Sequence, residues 1–228
     1  MASKGLITMP ALFSQLAEKL AENKHPAFDY AVIDEAQDVS VAQLRFLAAM
    51  GRGRPNSLFF AGDLGQRIFQ QPFSWKALGV DVRGRSQTLR INYRTSHQIR
   101  MQADRLLGPE VADVDGITEK RSGTVSVFNG PTPNIAIYDT REAEVEAISA
   151  WLMELCEEGV EPHEIGLFVR SEDQLDRARA AMDGAEIPFK VLDERVSTTT
   201  GYASISTMHL AKGLEFRAVS VMACDDEV

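Results

Sequence analysis

Residues Tyr30 to Asp38 read Tyr-Ala-Val-Ile-Asp-Glu-Ala-Gln-Asp, an uncharged run rich in strand formers that ends in two adjacent carboxylates. A buried parallel strand delivers acids to the carboxyl edge of its sheet in this way, and that edge is where α/β proteins carry out chemistry. Asp34 is placed to hold a hard cation such as Mg²⁺, largely through water, and Glu35 to orient or deprotonate a water attacking a phosphate. Taken alone the pair reads equally as two solvated acids in a strand-to-helix turn, so the surrounding chain has to decide.

The 228 residues are enough for two domains of roughly 100 residues each or one large one. No apolar run approaches the roughly 20 residues of a membrane span, and the start lacks the apolar core of a secretion signal. The expectation is a cytoplasmic protein with no membrane partner. Cys156 and Cys224 follow no metal-ligand spacing and are expected to be reduced, buried thiols. A net charge of −9 argues against a general nucleic-acid coat protein. It hides a basic stretch, however, in which Arg83, Arg85, Arg90, Arg94, Arg100 and Arg105 are opposed only by Asp104.

Leu12, Phe13, Leu16 and Leu20 recur at helical spacing and predict an amphipathic helix over residues 11–23. Ser40 and Gln43 form a capping-box pattern ahead of an apolar face of Val41, Leu44, Leu47 and Ala48, and Gly51 stops that helix. Leu58-Phe59-Phe60-Ala61 reads as a second fully buried strand, ending in Gly62-Asp63 at the same edge as the first acids. Gly65 to Phe69 follow directly, then Phe73-Ser74-Trp75. Phe69 and Trp75 are candidates either for stacking on nucleic-acid bases or for plugging the core. Gln87 to Ile91 predicts a third strand leading to Asn92-Tyr93-Arg94-Thr95-Ser96, where Thr95 or Ser96 caps a helix through Leu107. Arg94 then stands at a strand-to-helix junction, where a guanidinium reaches a phosphate or a carboxylate.

Residues 110–123 are polar and aperiodic and read as a linker between a first domain, 1–109, and a second, 124–228. In the second domain, strands are expected at 124–128, 135–138, 165–169, 189–192, 203–206 and 218–222. Helices are expected at about 141–158 and from Ser171, with Gln174 as capping partner, to about Asp183. The alternation implies a mainly parallel sheet covered on both faces. Between the last two strands, Thr207 to Phe216 crowd His209, Lys212, Gly213 and Glu215 into one connection. That is either a surface turn or a place where Lys212-Gly213 approaches a phosphate. No Gly-x-x-x-x-Gly-Lys-Ser/Thr loop occurs anywhere in the 228 residues. The further acidic or His clusters that a nuclease would need are also missing.

Asp34 to Asp38, Gly62 to Phe69, Asn92 to Thr95 and Thr207 to Phe216 resemble, in order and spacing, the Walker B motif and motifs III, IV and V of superfamily I DNA helicases of the UvrD/Rep/PcrA type. The resemblance covers roughly Phe28 to the carboxyl end. It implies an α/β fold of two RecA-like domains of the P-loop NTPase type with mainly parallel sheets, the first incomplete. ATP would lie between the domains and single-stranded DNA across them, with 3′ to 5′ movement and with other DNA repair or replication proteins as further partners. By motif position it implies Asp34 as Mg²⁺ ligand, Glu35 as activator of water, Gln66 and Arg94 as γ-phosphate sensors and Glu215 at the ribose. It nominates Trp75 for base stacking, although Gln70-Gln71-Pro72 departs from the family's Tyr-x-Trp-Arg-Gly pattern, and puts Thr207, His209 and Lys212 by the DNA path or the cleft. Walker A and the Arg-containing motif VI are absent, so the chain reads as an internal piece of a helicase, inactive by itself. A lost arginine of that kind costs about 10³ or more in rate. The competing expectation is a helicase-shaped scaffold or docking module that does not use ATP.

Overall fold

The computed structural model describes residues 6–22, 28–52, 54–67, 72–106, 110–116, 118–120, 123–193 and 197–225. The chain forms two compact units, Met1–Asn134 and Ile135–Val228, each a mixture of helices and paired strands.

In the first unit, α1 (Met9–Glu22) packs on α2 (Val41–Gly51), and the rings of Phe13 and Phe46 meet edge-on at 5.6 Å. The expected capping box is present: Ser40 Oγ accepts the Gln43 N–H at 3.3 Å, and Gln43 Oε1 accepts the Ser40 N–H at 2.8 Å. These bonds satisfy donors that the first helical turn leaves without partners. Strands β1 (Ala31–Ile33) and β2 (Leu58–Phe60) pair in parallel, with Ala31 opposite Leu58 and Ile33 opposite Phe60. Ile33, Leu58 and Phe60 pack on a small core of Ala36, Leu44, Trp75 and Val80.

The other face of this pair differs from the expected full burial. Val32 and Phe59, opposite each other in register, are 76% and 63% exposed. A continuous apolar run allows burial on both faces, but it takes a second layer to produce it, and among the described residues none lies there.

The expected third strand is paired only as β3 (Ile91–Asn92), and Leu89 within the expected span is exposed. Its parallel partner is β6 (Val125–Ser126). Between them come α3 (His97–Leu106) and a hairpin of β4 (Glu110–Ala112) antiparallel to β5 (Thr118–Lys120). Residues 110–123 are therefore not a plain linker, because local pairing around a turn with Gly116 at φ 79° needs no alternating apolar pattern. The division between the units falls at Asn134–Ile135, so 124–134 goes with the first unit through the pairing of β6 with β3.

The second unit holds one four-stranded parallel sheet in the order β10-β7-β9-β8, with β7 Ile165–Val169, β8 Phe189–Val191, β9 Ala203–Thr207 and β10 Ala218–Met222. Helices α4 (Arg141–Glu157) and α5 (Leu175–Gly184) pack together on one face. There Leu152, Ala181 and Met182 meet Ile165, Leu167, Ile205 and Met222. The registers give these strand residues one parity, so both helices cover the same face, not one on each. On the opposite face Phe168 meets the ring of Phe216 at 5.6 Å, while Val219 and Val221 are exposed.

Residues 135–138 form no strand, and Ile135 and Ile137 are exposed. Ser171 does not cap α5; a 3₁₀ turn over Glu172–Gln174 comes first. Cys156, in the last turn of α4, and Cys224, beyond β10, are exposed rather than buried, at element ends where packing neighbours run out. No described helix is long and apolar enough to cross a membrane.

A buried guanidinium closes the second unit. Arg177 donates to Glu144 Oε2 at 2.8 Å and to Asp225 Oδ2 at 2.7 Å, and Glu144 Oε1 accepts the Ala223 N–H at 2.8 Å. The segment after β10 is thereby tied to both helices. Hydrogen bonding to Arg177 holds the Asp225 carboxyl below the usual carboxylate range.

Candidate functional site

Parallel pairing brings the carboxyl ends of β1 and β2 together. The Ala61 N–H donates to the Ile33 carbonyl and the Ala36 N–H to the Ala61 carbonyl, each at 2.8 Å, so the two chains leave the sheet side by side. Asp34 and Glu35 follow β1, and Asp63 follows β2. Both of the first acids are exposed at this edge. The Glu35 backbone lies in the left-handed region at φ 51°, ψ 42°, and its N–H donates to Asp34 Oδ1 at 2.9 Å. A non-glycine residue there costs on the order of 1–3 kcal/mol and persists where surrounding bonds enforce it.

Asp63 organises the next turn. Its Oδ1 accepts the Gly65 N–H at 2.8 Å and its Oδ2 accepts from Gln66 Nε2 at 3.0 Å. Gln66 is exposed and bonded to Asp63, and the parallel pairing thus carries Asp34, Glu35 and Gln66 at one strand edge. Gln37, which the sequence reading passes over, is buried between the two strand ends. Its sequence signal is its place in the Asp34–Asp38 run, two residues after Glu35.

Arg94 stands in the turn after β3, where Asn92 Oδ1 accepts the Arg94 and Thr95 N–H groups at 2.9 and 3.0 Å. Ser96 Oγ accepts the Ile99 N–H at 3.4 Å and starts α3. Arg94 is exposed, and among the described residues no strand pairing joins β3 to β1 or β2.

Phe69 lies outside the described residues. Trp75 is 6% exposed, edge-on to Phe60 at 4.9 Å and stacked with Phe73 at 6.1 Å. Its faces are taken by the core, so base stacking does not fit this position. Three residues earlier the backbone is Pro72, and the neighbouring Ser74 Oγ and Lys76 N–H both donate to Asp115, fixing the aromatic inward.

In the second unit β9 ends beside β7, with Val169 opposite Thr207. Thr207 is buried and its Oγ1 lies 3.0 Å from His209 Nδ1. His209 and Glu215 are exposed and Lys212 is half-buried, with Gly213 at φ 81° next to it. Thr207, His209, Lys212 and Glu215 therefore share one strand-end connection, in a different compact unit from Asp34, Glu35, Gln66 and Arg94.

The basic stretch is partly engaged internally. Arg83 donates to both oxygens of Asp81, at 2.9 and 2.6 Å, and holds that carboxyl well below its usual range. Arg85 donates to the Asp81 carbonyl and Arg100 pairs with Asp104 at 3.2 Å. Among the described residues no group of three or more His, Cys, Asp or Glu could hold a metal by itself. Mg²⁺ keeps several waters and takes one or two carboxylates together with substrate phosphates, a demand that exposed Asp34 could meet without such a group.

Residues 3–74 match the model of the UvrD/REP helicase N-terminal domain. The ATP-dependent DNA helicase UvrD2 of Mycobacterium tuberculosis is 26% identical over 177 residues, covering 75% of this chain and 25% of that protein, and its Mycobacterium bovis counterpart matches equally. A probable DNA helicase of Mycoplasma pneumoniae is 23% identical over 219 residues, covering 91% of this chain and 37% of that protein. The chain spans between a quarter and somewhat over a third of the length of these relatives. The matched segment holds β1, β2 and the strand edge with Asp34, Glu35 and Gln66. It is similar to a UvrD-type helicase N-terminal domain, and the relatives are named DNA helicases.

Proposed function

We propose that this chain is part of an ATP-driven motor that moves along single-stranded DNA, a UvrD-type helicase whose two units are RecA-like. The observation that supports it most is the meeting of Asp34, Glu35 and Gln66 at one parallel-strand edge, inside the segment similar to a helicase domain. In this reading Asp34 would hold Mg²⁺, which would supply neutralisation of phosphate charge when bound. Glu35 orients the attacking water and takes its proton. Gln66 and Arg94 sense the terminal phosphate, a role that suits an amide able to donate and accept and a guanidinium that stays charged. By motif position Glu215 receives the ribose hydroxyls, and Thr207, His209 and Lys212 contact the DNA. Movement is 3′ to 5′.

No Gly-x-x-x-x-Gly-Lys-Ser/Thr loop occurs among the 228 residues, and the chain by itself is expected to be inactive. A second reading, a helicase-shaped docking module without ATP use, is favoured by that same missing loop and by the burial of Trp75. ATP hydrolysis with and without single-stranded DNA decides between them. It is to be measured on the 228-residue chain and on a form extended at both ends to the length of its relatives. Hydrolysis by the extended form that DNA stimulates, with none from the short form, supports the motor. No hydrolysis by either supports the docking module, and robust hydrolysis by the short form overturns the expectation that it is inactive by itself.

A further inference from the structure

Gln37 is 2% exposed, and its amide is used at both ends. Nε2 donates to Glu35 Oε2, and Oε1 accepts the Asp63 backbone N–H at 3.0 Å. Asp63 in turn carries Gln66 on its own carboxylate. An unbroken set of hydrogen bonds therefore runs Glu35, Gln37, Asp63, Gln66, from the end of β1 to the turn after β2. The amide sits in space that only glycine leaves open: a Cβ on Gly62 would come within 2.5 Å of Gln37 Oε1.

We propose that Gln37 is the positioning residue of this strand edge, holding the Glu35 carboxylate and coupling it to the turn that carries Gln66. The proposal rests on the hydrolytic reading of Glu35 and Gln66 given above. Its physical basis is the chemistry of the side chain. Glu35 as a carboxylate needs a donor and the Asp63 N–H needs an acceptor, and a primary amide supplies one of each at fixed separation. The backbone of Glu35 is already left-handed, so its carboxylate has two constraints, one from the main chain and one from Gln37. A shift of Asp63 or Gln66 on meeting a terminal phosphate would be felt at Glu35 through these bonds. A buried amide that merely satisfied the Asp63 N–H would have no need of Glu35.

Two measurements test this. In the 228-residue chain without nucleotide, the Gln37 side-chain amide protons are expected to exchange slowly and to give displaced NMR signals, and Glu35→Ala is expected to return both toward free-amide behaviour. Unchanged signals in Glu35→Ala overturn the proposal whatever the protein's activity. In the extended form, Gln37→Met, similar in size but unable to donate or accept, is expected to lower kcat for DNA-stimulated ATP hydrolysis about 10²-fold, the scale of a positioned general base, with KM little changed.

A wild-type kcat in Gln37→Met overturns the proposal. If the amide signals respond to Glu35 but the extended wild type does not hydrolyse ATP, the hydrolytic reading fails while the hold of Gln37 on Glu35 stands.

Discussion

At the scale of single residues the acidic strand end is the centre of the site, and its two carboxylates differ in what they can do. Asp34 accepts the Glu35 N–H and belongs to the turn, whereas Glu35 is strained, exposed and held from below by Gln37. A Glu35→Gln change keeps size and loses the proposed base. In the extended form it is expected to leave nucleotide binding intact and to abolish DNA-stimulated hydrolysis, with a loss of about 10² to 10⁴ in kcat. Undiminished turnover with normal binding would remove Glu35 from the mechanism. The pair Asp34-Glu35 was legible because an apolar run and a charge step are adjacent in the chain. The burial of Trp75 was not, since it depends on Phe60 and Phe73 closing over it and on Asp115, forty residues away, fixing the turn.

Among the elements, those set by local bonds are the most predictable in their response. Removing the Ser40 hydroxyl breaks half of the capping box on α2, and Ser40→Ala is expected to destabilise the first unit by about 1 kcal/mol, read from urea unfolding. In the second unit the Arg177 cluster makes stability depend on acid. Asp225 is held below its unfolded value by Arg177, so its contribution is complete above about pH 4 and is lost as pH falls through the lowered folded value. Arg177→Met is expected to lower the melting temperature at pH 7, and its difference from wild type is expected to narrow toward pH 3. A gap that stays constant with pH would show that Arg177 acts through packing alone. Both carboxylates of this cluster lie far from Arg177 in sequence, at Glu144 and Asp225, and nothing in the local pattern announces the tie.

For the whole molecule, each compact unit has a core of its own, built around Leu44 in the first and around Leu152 with β7 and β9 in the second. Leu44→Ala and Leu152→Ala each delete fully buried methyl groups and are expected to cost about 2–5 kcal/mol. Faster amide exchange in β1 and β2 for Leu44→Ala, and in β7 and β9 for Leu152→Ala, is the check. Unchanged exchange around Leu44 would mean that the small first core does not hold the acidic edge in place. The second core is the larger, and its sheet also came closest to expectation: 165–169 and 218–222 are strands over those same residues.

The cap on α2 and the step from apolar to acidic residues at the end of β1 were determined by the sequence, because they are set by residues within four positions of one another. α2 with its capping box and the carboxylates at the end of β1 follow from that. Tertiary structure alone decided which faces of the strands are covered, where the hairpin and the division between the units fall, and that Trp75 points inward. It also decided that Gln37 reaches Asp63, twenty-six residues further along the chain, a contact closed only when β1 and β2 pair. Burial and long-range hydrogen bonds need two distant segments to arrive at one place, and no window of sequence contains both.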